Sequence, residues 1–266
     1  MQARSRLSIV IPAFNEAIRI RASLAAAADY LARAGTAAEV LVVDDGSADE
    51  TAALVEEFAA ARPPGTTPAV RLLRNGQNRG KGYSIKHGLL MAEGDLVLVS
   101  DADFSTPIGE LPLLLHPVEK EGYGIAIGSR ALPESRVEIH QAAWREAMGR
   151  AFNRLVRALT GLPFRDTQCG FKLMRRQEVL PLFRAARIER FAYDVEILYL
   201  ARKAGIRVAE VPVLWRNASG TKVNALVDPL DMLKDIVRVV LRDRLGRYGA
   251  LGRPAARSDS RRGTKA

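Results

Sequence analysis

Apolar residues in the first hundred positions fall in short blocks separated by longer amphipathic stretches. Ser8-Ile9-Val10-Ile11-Pro12-Ala13-Phe14, Val40-Leu41-Val42-Val43, Val70 to Leu73 and Leu96-Val97-Leu98-Val99 are too short for core helices and read as buried strands. Between them the spacing predicts helices from Asn15-Glu16 to about Gly35, from about Asp49 to Ala61, and around Ile85, Leu89 and Leu90. Strands alternating with helices in this way imply parallel βαβ units with right-handed crossovers, the pattern of a nucleotide-binding half-domain. Further on, the pattern predicts a helix near Pro107 to Lys120 and a strand at Gly124-Ile125-Ala126-Ile127. A helix opens at Phe191-Ala192-Tyr193-Asp194, where Asp194 suits an N-cap, and a last strand runs from Val208 to Trp215.

Two later segments are amphipathic. From His140 to Thr160, Trp144, Met148, Phe152, Leu155, Val156 and Leu159 share one helical face, and Arg145, Arg150, Arg154 and Arg157 take other positions. A second segment carries Leu230, Leu233, Ile236, Val237, Val240 and Leu241. Each can pack on the sheet or lie in a membrane interface. The chain divides into a folded domain over 1–245 and a basic tail over 246–266, expected to be disordered.

Acids gather at predicted strand ends, which is where open α/β sheets bind ligands. Asp101-Ala102-Asp103 offers two carboxylates after the fourth block; such hard oxygen ligands suit Mg²⁺ or Mn²⁺ completed by substrate phosphates. Read blandly, the same pair caps the next helix. Asp44-Asp45-Gly46-Ser47 can accept from a uracil imide, a guanine or ribose hydroxyls, or can be an ordinary Asp-Gly turn. Asn78-Arg79-Gly80-Lys81-Gly82 sets two cations before a helix start and is either a diphosphate cradle or a solvated turn; it lacks P-loop spacing. Arg130 follows a strand, where it could meet a phosphate bidentately.

Composition narrows the partners. The 266 residues carry 40 Lys plus Arg against 30 Asp plus Glu, a net +10, so an anionic partner is expected: lipid, nucleic acid or a phosphorylated substrate. Cys169 is the single cysteine, which excludes an internal disulfide, and no histidine is placed to activate it, so it is expected in the core. No stretch approaches the roughly 18 to 20 apolar residues of a spanning helix, and Met1 to Arg6 leads into a strand rather than a signal peptide. The expected location is cytoplasmic.

In their order and spacing, Ile11-Pro12-Ala13-Phe14-Asn15-Glu16, Val43-Asp44-Asp45-Gly46-Ser47 and Asp101-Ala102-Asp103 resemble the family 2 glycosyltransferases. That resemblance implies a GT-A fold: a Rossmann-like α/β domain with a mixed, mostly parallel sheet flanked by helices. Four further segments, Asn78-Arg79-Gly80-Lys81-Gly82, Gly128-Ser129-Arg130, Asp166 to Lys172 and Phe191 to Leu198, look like the dolichyl-phosphate β-glucosyltransferase branch. Its members move glucose from UDP-glucose to a polyprenyl phosphate. The likeness covers about residues 7 to 241.

By that resemblance, Pro12, Ala13, Glu16 and Asp44 or Asp45 hold the nucleotide, with Lys81 near the donor. Asp101 and Asp103 form the metal-binding pair, Asp103 being the direct ligand of Mg²⁺ or Mn²⁺. Arg130 and Arg145 meet the acceptor phosphate, Asp166 or Asp194 flanks the anomeric carbon, and Ser219 and Lys222 belong to a mobile lid. Eukaryotic members of the branch carry an N-terminal membrane anchor; this sequence reads without one. Attachment is therefore expected to be peripheral, on an anionic surface at the inner face of the membrane, with no nucleic acid bound.

Three other readings stay open at this stage. One is a family 2 enzyme with a soluble or hydroxyl acceptor or another sugar, such as one carried by GDP-mannose. Another is a dehalogenase-type phosphatase, which also sets D-x-D at a strand end but leaves Asp44-Asp45-Gly46-Ser47 unexplained. The last is a non-catalytic basic membrane or nucleic-acid adaptor, which has no need for acids at successive strand ends.

Overall fold

The computed structural model describes residues 6–63, 65–139, 143–216 and 228–249, with the side chains of Ala143 and Arg145 left out. Ser219, Lys222, the side chain of Arg145 and the tail from 250 thus lie outside the described residues.

Nine strands form around the apolar blocks: β1 (Leu7–Ala13), β2 (Ala38–Asp44), β3 (Ala69–Arg74), β4 (Leu96–Val99), β5 (Ile125–Ser129), β6 (Arg136–Ile139), β7 (Lys172–Arg175), β8 (Val208–Pro212) and β9 (Leu214–Arg216). The helices between them are α1 (Ile20–Ala34), α2 (Thr51–Ala60), α3 (Lys81–Met91), α4 (Leu111–Lys120), α5 (Ala143–Thr160), α6 (Arg176–Ala185), α7 (Tyr193–Ala204) and α8 (Asp228–Arg244). Seven strands make one sheet in the order β3-β2-β1-β4-β7-β5-β8, and β6 pairs with β9 in a small second sheet. In the main sheet only β7 runs against its neighbours, so the sheet is mixed and mostly parallel.

The central strands are apolar on both sides because both sides are covered. Val10, Val43, Val97 and Val99 face α3, α6 and α7, whereas Ile9, Ile11, Val42 and Leu98 face α1, α2 and α4. Alternate residues of one strand thus enter two separate cores, and the second of them extends to Ala13 and Ala102 at the strand ends where the loops gather.

Besides β6 and α6, which the sequence did not signal, the following details differ from the sequence-based expectation. The first helix begins at Ile20, not Asn15, because the amides of Asn15, Glu16 and Ala17 bond instead to side chains of Ser47, Thr51 and Asp49. Asn15 itself takes a left-handed φ of 52°, which a helix cannot contain. β7 had no strand signal, since a four-residue segment with a basic residue at each end shows no apolar run. The predicted last strand divides at Val213, whose amide bonds to Ser129 while its carbonyl accepts from Arg136, carrying the chain from the large sheet to the small one. Asp194 is not an N-cap: α7 already starts at Tyr193, and the Asp194 carboxylate turns inward to Lys172.

Candidate active site

The carboxyl ends of β1, β2 and β4 open into one cleft of about 350 Å³. Pro12, Ala13 and Glu16 line it from the end of β1, Asp45 from the turn after β2, Lys81 from the start of α3, and Asp101 and Asp103 from the loop after β4. Arg190, Phe191 and Asp228 close it from the C-terminal half. Parallel strands deliver these residues to one edge because every such strand points its loop the same way.

The turn after β2 fixes the wall of this cleft. Gly46 takes φ +75°, and a Cβ there would stand 2.7 Å from the backbone of Gln77, so only glycine lets the two loops touch. Asp45 then spends both carboxylate oxygens on the neighbouring loop: one accepts from Asn75 (2.7 Å) and the Arg79 amide (3.0 Å), the other from the Gly80 amide (2.7 Å). Asn75 also bonds to Ser84 and to the His87 ring. Asp45 therefore shapes the Asn78 to Gly82 segment and presents Lys81, which is a structural duty the sequence did not reveal. Asp44 is buried, accepts the Ser47 amide, and does not line the cleft.

Three ion pairs cluster here, one lining the cleft and two outside its lining. Lys81 Nζ lies 2.5 Å from Asp101 Oδ1, Lys172 Nζ lies 2.6 Å from Asp194 Oδ1, and Arg130 grips Asp166 through two parallel bonds of 2.7 and 2.9 Å. Burial by itself lowers the Lys81 pKa, but the carboxylates of Asp101 and Asp194 outweigh it and hold the ammonium above its usual range. Burial likewise works against the charge on Asp101, and Lys81, Lys172 and Arg130 overcome it, so that carboxyl stays below the usual range. Asp166 is driven down to about 2: burial opposes its charge, and the Arg130 guanidinium beside it prevails. The Arg130 guanidinium is also 5.5 Å from the Trp215 ring.

Gly170 meets this cluster from the other side. A Cβ on it would overlap the Asp101 carboxylate, so a bare backbone is what allows the 166–172 segment to close on the acid. Cys169 next to it is buried, as expected, and burial pushes its thiol up, away from nucleophilic thiolate.

The donor set fits a hard divalent cation shared with a substrate. Asp103 gives one oxygen to the Ser105 amide (2.9 Å), and its other oxygen is 4.0 Å from Arg19 at the cleft. No group of three or more His, Cys, Asp or Glu gathers as a metal cage among the described residues. One or two carboxylates at a strand end, with a phosphate-sized cleft in front, are what Mg²⁺ or Mn²⁺ uses when substrate phosphates and waters complete its shell.

Of the residues anticipated for nucleotide and metal, Pro12, Ala13, Glu16, Asp45, Lys81, Asp101 and Asp103 converge on the cleft. Arg130, Asp166 and Asp194 do not line it, though the charge of Arg130 reaches Asp101, that of Asp194 reaches Lys81, and Asp166 acts on Arg130. Arg190 and Lys172 were missed. Arg190 belongs to no local motif, and Lys172 looked like one more polar residue of an insert; only its burial at the start of a strand reveals it.

Residues 8–180 match the family model described as glycosyl transferase family 2. A dolichyl-phosphate beta-glucosyltransferase of Dictyostelium discoideum is 38% identical over 90% of this chain and 75% of its own length. Its human counterpart is 34% identical over 89% and 75%, and that of Saccharomyces cerevisiae 32% over 91% and 76%. Among solved structures, mannosyl-3-phosphoglycerate synthase from Rubrobacter xylanophilus superposes with a TM-score of 0.67 at 23% identity, over 95% of this chain and 79% of that one. Glucosyl-3-phosphoglycerate synthase from Mycobacterium tuberculosis, in complex with Mn²⁺, uridine-diphosphate and phosphoglyceric acid, superposes with a TM-score of 0.62 at 20% identity, over 92% and 79%. These structures establish the GT-A fold.

Proposed function

This chain belongs to glycosyl transferase family 2, and we propose that it moves glucose from UDP-glucose to a polyprenyl phosphate with inversion at the anomeric carbon. The observation that carries the reading is the convergence of Asp103, Asp101 and Lys81 on one cleft with Pro12, Ala13 and Glu16, a cation-and-anion site beside a nucleoside-sized wall. The branch and the acceptor rest on the relatives, which share about a third of their residues with it along most of their length.

Pro12, Ala13 and Glu16 hold the nucleoside, and Asp44 and Asp45 support them by fixing the loops on either side. Lys81 and the Asp101 to Asp103 turn take the diphosphate. A divalent cation bound at Asp103 and the diphosphate would supply electrostatic stabilisation of the leaving group. The acceptor phosphate oxygen attacks C1 of glucose from the opposite face; the bond from C1 to the diphosphate oxygen breaks, and its electron pair leaves with UDP.

No general base is required, because a phosphate monoester with a second pKa near about 6 is already largely dianionic at neutral pH. Asp166, held at about 2, is too weak a base to compete for a proton. Its work is to aim Arg130, whose guanidinium stays partly exposed and can turn a free edge to the acceptor phosphate. Asp194 is likewise committed to Lys172.

The test is UDP release from UDP-glucose with Mn²⁺ or Mg²⁺, with and without polyprenyl phosphate in anionic liposomes. Release that requires the lipid, and that Asp103→Ala abolishes, is the expected result. Binding of UDP-glucose with no response to the lipid would move the acceptor to a soluble phosphate or hydroxyl. Metal-dependent turnover in Asp103→Ala would overturn the metal assignment.

A further inference from the structure

Gly80 precedes α3 in a conformation that the helix does not supply. Its φ is +108° and its ψ 162°, and a Cβ there would stand 2.6 Å from the Glu189 carbonyl oxygen, so the position needs glycine and its backbone must be held from outside. Both its polar groups are held. The Gly80 amide donates to Asp45 Oδ2 (2.7 Å), and its carbonyl accepts from the Ser84 hydroxyl (3.2 Å). The next residue is Lys81, whose ammonium meets Asp101.

Both holders depend on one side chain. Asn75, whose own backbone amide is fixed on the Asp44 carbonyl (2.9 Å), donates from Nδ2 to Asp45 Oδ1 (2.7 Å) and to the Ser84 hydroxyl (2.9 Å). An ionised carboxylate only accepts, so the nitrogen of the Asn75 side chain must face Asp45 and its oxygen must face away. That oxygen lies 2.8 Å from Nδ1 of His87, about one turn beyond Ser84 on α3. Because the oxygen only accepts, Nδ1 must carry a proton. Burial lowers the pKa of this half-buried ring, so at neutral pH it is uncharged, with its one proton on Nδ1 and a lone pair on Nε2. Each bond thus fixes the direction of the next, from His87 to Asn75, from Asn75 to Asp45 and Ser84, and from Ser84 to Gly80.

Asp45, Gly80, Lys81 and Ser84 line the cleft, whereas His87 and Asn75 stand outside its lining. We propose that His87 is a positioning residue for the donor site, acting through Asn75 on Asp45 and Ser84 to fix Gly80 and with it the place of Lys81. The two ends of an asparagine amide are alike in shape and opposite in hydrogen bonding, so a donor on the oxygen side and acceptors on the nitrogen side together select one orientation. Without His87 the Asn75 oxygen loses its partner, and the amide that sets Asp45 is held from one side only. This inference rests on the nucleoside-diphosphate reading of the cleft for its effect on binding; the order of the 78–82 loop is independent of that reading.

Nuclear magnetic resonance of the full chain with isotope-labelled histidine reads the ring directly, the His87 signals being those lost in His87→Asn. Nδ1 should be protonated and Nε2 bare at neutral pH. In His87→Leu the Gly80 amide should exchange with solvent faster by roughly three- to tenfold, the scale of one lost hydrogen bond, and calorimetry with UDP and Mn²⁺ should show a weakening of similar size. KM for UDP-glucose should rise while KM for the acceptor stays. His87→Asn, whose side-chain nitrogen takes the place of Nδ1, should recover most of the loss. A histidine that served stability alone would lower the melting temperature and leave donor affinity untouched. A ring protonated at Nε2 alone, parent-like Gly80 exchange and UDP affinity in folded His87→Leu, or an equally deep loss in His87→Asn would overturn the relay. The tautomer is read on the unaltered protein, so the test does not depend on a variant that folds. Faster Gly80 exchange in His87→Leu, with a parent that binds no UDP, would support the relay and refute the nucleotide reading.

Discussion

Lys81 Nζ stands 2.5 Å from Asp101 Oδ1, so the first acid of the Asp101-Ala102-Asp103 turn already carries a cation before substrate arrives. The pair is central to the charge balance, because Asp194 also supports the Lys81 ammonium and Lys172 and Arg130 also support the Asp101 carboxylate.

Lys81 is placed to share its charge with the donor diphosphate. Removing it by Lys81→Met should weaken UDP binding by about ten- to a hundredfold, the scale of one charge-assisted hydrogen bond. Titration calorimetry with UDP and Mn²⁺ measures it. Lys81→Arg should not restore the loss, since a planar fork does not fit where a compact ammonium meets one carboxylate oxygen. Parent-like affinity in Lys81→Met would remove Lys81 from the donor site.

Gly170 gives a sharper test of the cluster, because the change adds one methyl group and no charge. Gly170→Ala would drive a Cβ into the Asp101 carboxylate and displace it from Lys81. Turnover should fall by roughly tenfold or more, the cost of displacing a positioned catalytic group. Thermal unfolding should show a loss of about 1–3 kcal/mol, typical of overpacking. Unaltered kcat/KM would mean that the position of Asp101 does not matter to the reaction.

The sheet was legible because strands covered on both faces are mostly apolar, and the runs Ile9 to Ile11, Val40 to Val43 and Leu96 to Val99 are unbroken. The acids after them were legible for the same reason: a charge ending an apolar run stands at a strand end. What stayed hidden depends on partners distant in the chain. Asp45 lines the cleft as the sequence suggested, but its bonds to the amides of Arg79 and Gly80 could not be read from it. Lys172 and Asp194 lie 22 positions apart, and neither signals burial until both are found inside. The apolar stripe of α5 left both packing on the sheet and an outward position open, because sequence periodicity cannot tell a face that meets the core from one left outside.

The Arg130 and Asp166 pair makes stability depend on pH in acid. With the folded carboxyl at about 2 and the ordinary value at 3.8, the pair contributes about 2 kcal/mol that is fully present above the ordinary value. That contribution is lost as pH falls through the folded value. Urea unfolding should therefore show Asp166→Asn less stable than the parent by about 2 kcal/mol at neutral pH, with the gap narrowing toward pH 2. In kinetics, Asp166→Asn should raise KM for the acceptor more than it lowers kcat, because a loosened Arg130 still carries its charge. A kcat loss with unchanged acceptor KM would instead make Asp166 a participant in the chemical step.

Lys172 and Asp194 are both almost fully buried, at 5% and 4% side-chain exposure, which makes their pair a different case from the half-open Arg130. Neither can lose its partner cheaply: Asp194→Asn leaves an ammonium in the interior, and Lys172→Met leaves a carboxylate there. Each single change should cost about 3–5 kcal/mol, whereas Lys172→Met combined with Asp194→Leu should recover most of it. Thermal unfolding of the four proteins measures that coupling. The same set separates structure from catalysis. If Asp194 serves only to seat Lys172 behind Asp101, the double variant should regain stability and much of the activity that either single change removes. A double variant that is stable and inactive would show that Asp194 takes part in the reaction itself.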